Sequence, residues 1–477
     1  MSSTATVRKP VPGGVGWSSL QLTSLQRSID ALLEAPTLRG AHVGLFARDT
    51  TRGTILYAQN VDRDFMPASN FKLLVGSAAL ERLGPTFAYM TTVTMDAARH
   101  GGAIAGNVYL RGGGDALLTA NDLRVAAASL AAEGITRIDG ALVTDAAHFD
   151  LQRYGFGWSW DDLPYYYAPV VSALELEDGV VHAYMTPGPA AGTPVALRIT
   201  PQSAAFNLAN RLTTGLKGSK DTSEIVRPWN EPLGIELRGS YPLGAGESGD
   251  LSPSVPDPES YAGDVFVQML AAEHIAVVGG VHAGRMPAAT TPLWSHASEA
   301  MPQLLADCWY PSDNLMAELL LKELGVAQAG EPGTDAAGRV VEEQYLRSIG
   351  IRPSTLTIAD GSGLSQYDRI TPRALVAILQ ADWNGPYRDI VLDALPVAGV
   401  RGTLKTSYRG TPAERTVFAK TGSISHVRTI SGFVQSHTHG PVTFSLLINE
   451  WIDEDRPGAS AALANVRARI FSLLATR

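Results

Sequence analysis

Ser69 and Lys72 stand one helical turn apart in "MPASNFKLL", residues 66–74. On a helix, positions i and i+3 share a face, so this hydroxyl and this ammonium project together. Backbone N–H groups at a helix start are unpaired and attract developing negative charge. A serine placed there can attack a carbonyl carbon while its own N–H steadies the oxyanion. The lysine serves as base only when neutral, and burial or a second nearby cation lowers its pKa toward working pH. Phe71, Leu73 and Leu74 supply apolar surroundings. A capping serine followed by a lysine explains the same letters, so the stretch alone does not establish catalysis.

Two later stretches raise the same question. Ser312-Asp313-Asn314, in "CWYPSDNLMAELLLKEL", opens an amphipathic pattern after Pro311. All three are favoured helix caps. Equally, the Ser312 hydroxyl can relay a proton and the Asn314 amide can hold a substrate amide. Lys420-Thr421-Gly422-Ser423, in "FAKTGSISHV", ends a strand pattern. Glycine there lets a ligand approach the backbone closely. Lys420 offers a fixed positive charge, and Thr421 and Ser423 offer hydroxyls to a carboxylate. An edge strand running into a turn is the plain structural alternative.

The elements around these stretches follow from periodicity. Leu and Ile recur at helical spacing over Leu20–Leu33, "AHVGLFARD" and "TILYAQN" read as paired strands, and a buried helix runs from Ser69 to Leu83. From about Thr91 short strands alternate with a helix that has an Asp start and a Gly stop, which indicates a separate α/β unit. Residues 186–250 carry strand-like pieces divided by Gly, Pro, Ser and Lys, read as a small β domain. From Met301 to Asp393 the chain reads as mostly helical. Three strands follow, in "RTVFAKTG", "VRTISGFVQ" and "PVTFSLLIN", and a terminal helix spans Ala459–Leu474. Two early and three late strands suggest one five-stranded antiparallel sheet flanked by helices, with the middle of the chain inserted. The expectation is thus a multi-domain α/β protein. Residues 20–90 and 286–477 form one discontinuous domain, 91–185 and 251–285 an inserted α/β domain, and 186–250 a small β domain nested in it.

Composition narrows the function classes. The 477 residues are 45% hydrophobic and 18% charged, enough for a large core and more than one domain. A formal charge of -9 without long like-charge blocks argues against nucleic acid or an anionic membrane surface as main partner. No run is long and apolar enough for a transmembrane segment. The single cysteine, Cys308, reads as a small buried apolar residue in a helix. His437 and His439 in "QSHTHGP" read as a solvated turn between strands rather than a zinc site, and neither metal nor cofactor is expected. The start, "MSSTATVRKPVPGGVGW", lacks the apolar core of a secretory signal.

Ordered as they are, the three motifs match the Ser-x-x-Lys, Ser-Asp-Asn and Lys-Thr-Gly set of penicillin-binding proteins and serine β-lactamases. Four further stretches sharpen the resemblance: "LRGGGDALLT", "WSWDDLPYYYAPVVSALEL", "DGSGLSQYDRIT" and "RGTLKTSYRGTPAERTVFAKTGSI". From about Leu22 onward the chain resembles the class C, type-4 penicillin-binding proteins, D-alanyl-D-alanine carboxypeptidases and endopeptidases. The resemblance implies a transpeptidase-like domain interrupted after the Ser-x-x-Lys helix by a second domain that carries a third. It implies Ser69 as nucleophile, Lys72 as base, and Ser312 and Asn314 in proton transfer. Lys420 would tune the charge of the site and help keep Lys72 neutral. Thr421, Gly422 and Ser423 would meet the terminal carboxylate, with the N–H groups of Ser69 and Ser423 as oxyanion hole. The implied partners are peptidoglycan peptides ending in D-Ala-D-Ala and β-lactams as covalent inhibitors, and the implied location is periplasmic or secreted.

Two positions depart from the family pattern. Ser423 replaces the usual Thr and keeps its hydroxyl. Gln366 replaces an Arg that, with an acidic residue resembling Asp162, holds the free end of a diaminopimelate side chain in some members. Asp161 and Tyr165 to Tyr167 are left as a polar wall or a packed contact. Three alternatives share motifs or chemistry. A class A β-lactamase would need a deacylating glutamate pattern that "WNEPLGIEL", with Glu231, does not supply. A D-amino-acid amidase or esterase would keep the chemistry, whereas a non-hydrolytic β-lactam or peptidoglycan sensor would not need Ser69, Lys72 and Lys420 intact.

Overall fold

The structure, a computed structural model, describes residues 8–452 and 456–476. The chain forms two compact units: one comprises residues up to Thr86, Ala300–Leu324 and Gly338 onward, and the other comprises Phe87–Glu299 and Gly325–Ala337. The first seven residues of the Ser- and Thr-rich start lie outside the described residues.

The first unit is built on an antiparallel sheet in the order Val417–Ile424, Val427–Ser436, Gly440–Asn449, His42–Asp49, Ile55–Gln59. The expected five strands therefore pair as one sheet. Gly440–Asn449 is buried at every position, as a central strand covered on both faces must be. Leu45, Ala419, Ile430, Phe444 and Leu446 face one core together with Leu25 and Ile29 of helix Ser19–Leu33 and Ile470, Phe471 and Leu474 of helix Ala459–Thr476. Each of the Leu, Ile and Phe side chains contributes about 1.5–3 kcal/mol by leaving water. Helix Pro372–Asn384 packs on the sheet through Trp383, whose ring lies 5.5 Å from that of Phe433. Ser18 starts the first helix with a capping box to Gln21, which satisfies two otherwise orphan donors.

The second unit holds a mixed sheet in the order Val281–Ala283, Leu142–Asp145, Val108–Arg111, Met90–Met95, Thr291–Ala297. Helices Ala120–Ala132 and Pro258–Ala272 bury Leu123, Ala127, Val265 and Phe266 in its core. Two three-stranded sheets, one containing His182–Thr186 and the other Asn207–Gly215, add Met185, Leu212 and Leu237 to the same apolar cluster. The expected domain boundary before Met286 precedes strand Thr291–Ala297, which lies in this unit paired with Met90–Met95.

Two local expectations change. The helix expected to begin at Ser69 begins at Lys72, and Ser69 lies in a 3-10 turn, Ala68–Phe71, that leads into helix Lys72–Leu83. Ala68, just before the serine, has φ of 46°, and the chain tightens there through i to i+3 hydrogen bonds such as Asn70 N–H to the Pro67 carbonyl. His437 and His439 do sit at the turn joining two strands, but His439 is not solvated. It is 1% exposed, stacks on Trp17 at 4.0 Å, and its Nδ1 lies 2.8 Å from the Val15 carbonyl. Cys308 is fully buried in helix Met301–Trp309, as expected.

Candidate active site

Ser69 is half-buried, and Lys72 at the first turn of helix Lys72–Leu83 is fully buried. The Lys72 Nζ donates to Ser69 Oγ at 3.1 Å, to Asn314 Oδ1 at 2.5 Å and to the Ser362 carbonyl at 2.7 Å. These acceptors leave Nζ in one position against the serine.

The second stretch divides its labour. Asp313 caps helix Asn314–Ala329 by accepting from Met316 N–H at 2.7 Å, so the capping explanation holds for this residue. Ser312 has φ of 73°, a left-handed geometry uncommon for a non-glycine residue. Its Oγ accepts from Lys420 Nζ at 2.7 Å, and Lys420 also donates to the Thr421 carbonyl at 2.8 Å.

Lys420, Thr421, Gly422 and Ser423 lie on the edge strand Val417–Ile424. Asn70 ties this strand to the nucleophile turn by donating to the Lys420 carbonyl at 3.0 Å, and Thr429 donates to the Pro67 carbonyl at 2.7 Å. A Cβ at Gly422 would fall 2.9 Å from the Ser69 backbone nitrogen and 2.2 Å from Thr429 Oγ1. Close approach therefore explains the glycine. Gly422→Ala is expected to push strand and turn apart, lowering stability by about 1–3 kcal/mol and acylation by about 100-fold. Denaturant melts and the acylation rate of a chromogenic β-lactam measure both.

The two lysines form a coupled buried pair. Burial pushes the Lys72 pKa down, while Cys308 and the carboxylates of Asp360, Asp313 and Glu318 pull it back. Burial pushes Lys420 further down, and the Lys72 charge adds to the effect, with Cys308 opposing. The carboxylates act on Lys72, and the Lys72 charge acts against protonation of Lys420.

The structure thus brings Ser69, Lys72 and Asn314 into one hydrogen-bonded set and Ser312 and Lys420 into another, with the two lysine charges close enough to act on each other and Thr421 and Ser423 on the strand that carries Lys420. Gln366 is exposed in the first unit, with its carbonyl accepting from Arg369 at 2.7 Å. Asp162 belongs to the second unit, where it accepts from the Tyr167 hydroxyl at 3.0 Å. Tyr165 stacks on Tyr167 at 5.6 Å, so the tyrosine run is at least in part packed. Sequence reasoning missed the contribution of Ser362, and Thr403, whose hydroxyl lies 2.6 Å from that of Thr421. Both occur in stretches noted only for their resemblance, and Ser362 acts through its backbone, which carries no side-chain signature.

Fold and site together define an acyl-transferring serine enzyme of the penicillin-binding type. Residues 25–470 match the model of the D-Ala-D-Ala carboxypeptidase 3 (S13) family, and the chain belongs to that family. It is therefore a serine-type D-Ala-D-Ala carboxypeptidase, a penicillin-binding hydrolase. Among its relatives is the D-alanyl-D-alanine carboxypeptidase of Actinomadura sp. (strain R39), 35% identical over 446 residues, which cover 91% of this chain and 82% of the relative. The D-alanyl-D-alanine carboxypeptidase DacB of Haemophilus influenzae is 26% identical over 424 residues, 87% of each chain. The crystal structure of penicillin binding protein 4 (dacB) from Haemophilus influenzae superposes with a TM-score of 0.85 over 94% of this chain and 99% of that one, at 24% identity, which extends the likeness to the fold.

Proposed function

We propose that Ser69 attacks the carbonyl of the penultimate D-alanine in a peptidoglycan stem peptide. The peptide bond breaks, the terminal D-alanine leaves, and the peptide remains as an ester on Ser69 until water releases it. The observation that carries this reading is the 3.1 Å contact from the fully buried Lys72 Nζ to Ser69 Oγ. Neutral Lys72 takes the serine proton, and Ser312 passes a proton to the departing amine. Asn314 fixes Lys72 and meets the substrate amide. Thr421 and Ser423 bind the terminal carboxylate, and Gly422 lets their strand lie against the Ser69 turn.

The edge strand Val417–Ile424 supports peptide docking by main-chain pairing, with the Ser69 and Ser423 N–H groups receiving the oxyanion. A substrate carboxylate beside Lys420 favours the cationic form of that lysine. The repulsion between the two lysines then favours neutral Lys72, so the bound substrate itself readies the base. β-Lactams acylate the same serine. The same chemistry cleaves D-alanyl cross-links, and the substrate places the enzyme outside the cytoplasmic membrane, periplasmic or secreted.

A labelled penicillin followed by peptide mapping tests the assignment: the expected adduct is on Ser69, with D-alanine released from a muropeptide. A label on any other residue overturns it. A label without D-alanine release would instead make the protein a sensor.

Gln366 lacks the guanidinium that would pair with a second carboxylate at the end of a diaminopimelate side chain. The expected ratio of kcat/KM for diaminopimelate over lysine stem peptides is within about tenfold, the scale of one weak polar contact. Restoring the cation by Gln366→Arg should raise that ratio. A strong preference for diaminopimelate in the unaltered protein would show that other groups do the recognition.

A further inference from the structure

The segment Asp360–Ser365 lies against both catalytic groups of the Ser69 turn. Its Ser362 carbonyl accepts from Lys72 Nζ at 2.7 Å. A Cβ at Gly363, which has φ of 80°, would fall 2.0 Å from the carbonyl oxygen of Ala68, the residue before the nucleophile. The segment has no regular secondary structure, so its backbone donors need other partners.

Carboxylates supply those partners. Glu318, on helix Asn314–Ala329, accepts from Ser362 N–H at 2.9 Å and from Gly361 N–H at 3.1 Å. Asp360 accepts from Gly363 N–H at 2.7 Å, Ser365 N–H at 2.9 Å and Ser362 Oγ–H at 2.8 Å. Ser362 is thereby held at its amide and its hydroxyl, while its carbonyl meets the lysine. Behind the segment, Asp368 accepts from Ala359 N–H at 2.7 Å. Asp360, Ser362, Ser365 and Asp368 are all fully buried, and Glu318 is 1% exposed.

We propose that Asp360 and Glu318 are positioning residues for the acylation step: they fix the Ser362 carbonyl that aims Lys72 Nζ at Ser69. This rests on Lys72 being the base. Their negative charges also favour protonated Lys72, together with Cys308 and Asp313, while Lys420 opposes. Charge and geometry therefore act in opposite directions on the reaction. Losing the charge favours the neutral base, and losing the geometry misaims it. A displacement of about 1 Å at a reacting group costs about 100-fold in rate, so geometry is expected to win. Asp368 is different. Burial, and then the neighbouring Asp360, push its pKa well up toward the protonated form, so an amide mimics it.

The test compares acylation by a chromogenic β-lactam across pH for Asp360→Asn, Glu318→Gln, Ser362→Ala and Asp368→Asn. In Asp360→Asn the plateau rate is expected to fall about 10- to 100-fold, with the rising limb moved to lower pH. Ser362→Ala keeps the carbonyl and loses one tether, so its plateau should fall several-fold. Asp368→Asn should stay within about threefold of the parent. A folded Asp360→Asn with an undiminished plateau, or a mere shift of the limb, overturns the proposal. If Asp360→Asn does not fold, an undiminished plateau in both Ser362→Ala and Glu318→Gln overturns it. Lys72→Met run alongside reports on the base itself. If that variant acylates normally, the assignment of the base fails. If it is dead while Asp360→Asn is unaffected, only the positioning role fails.

Discussion

Ser69→Ala is expected to reduce D-alanine release by about 10⁴- to 10⁶-fold and to abolish covalent labelling by penicillin. The reaction forms one ester on the Ser69 oxygen and then breaks it, and alanine has no oxygen to offer. Ser69 is half-buried at the surface of the turn, and the Ala68–Phe71 backbone bonds do not involve its hydroxyl. The variant should therefore fold and still bind β-lactam reversibly. Intact-mass measurement after incubation with penicillin reads the first expectation, and equilibrium binding reads the second. Persistent mass addition in the alanine variant would move the nucleophile to another residue, with Ser312 and Ser423 the hydroxyls to examine first.

Lys72→Met is expected to slow acylation by about 10²- to 10⁴-fold, the usual contribution of a positioned base, with reversible β-lactam binding little changed. The pH profile carries more information than the rate. In the parent the rate rises with pH as Lys72 loses its proton, and burial sets that limb below the ordinary lysine range. The methionine variant should lack the limb. Stability follows the same titration with a definite sign. The folded-state pKa is lowered, so the unfolded chain binds more protons between the folded pKa and the ordinary lysine value. Below that window the cost of burying the charge is fully present, and it disappears as pH rises through it. Urea melts of the parent should thus show stability rising with pH across the window, with a smaller slope in Lys72→Met. A Lys72→Met protein with a normal acylation limb would pass the role of base to another group, and Lys420 with Ser312 would be the pair to test.

Much of the site was legible because its chemistry is concentrated in side chains at fixed spacing. The interval from Ser69 to Lys72 already implies a shared face, and the 3.1 Å contact bears that out whether the turn is α or 3-10. Gly422 was read as room for a ligand, but the atoms a side chain there would meet are the protein's own, Thr429 Oγ1 and the backbone of Pro67 and Ser69. The strands were readable from runs such as "PVTFSLLIN", whose burial at every position follows from its central place. What the letters concealed was of two kinds. The left-handed φ of Ala68 and Ser312 belongs to residues whose type does not demand it, so only the surrounding structure can impose it. The grip on Lys72 by the Ser362 carbonyl, and the burial of His439 beneath Trp17, join residues far apart in sequence, and no local period reports such pairs. The protonation of Lys420 was not legible for a related reason. Its proton depends on which lysine the carboxylates stand beside, and that is a matter of three-dimensional distance.

The antiparallel pairing of Met90–Met95 with Thr291–Ala297 has a consequence for how the chain folds. The catalytic sheet must join His42–Asp49 to strands beyond Val417, and about two hundred residues of inserted chain stand between its halves. Bringing the ends of so long a flexible loop together carries a closure entropy that grows with the logarithm of its length. The paired strands place the beginning and end of the insertion side by side. Once they have formed, the loop between His42–Asp49 and Val417 is shortened by about two hundred residues, somewhat more than half its length, which lowers the closure cost by about 0.5–1 kcal/mol. The insertion is thus a staple as well as an interruption: its paired ends bring Met90 and Ala297 together and roughly halve the loop that the sheet around Ser69 must close.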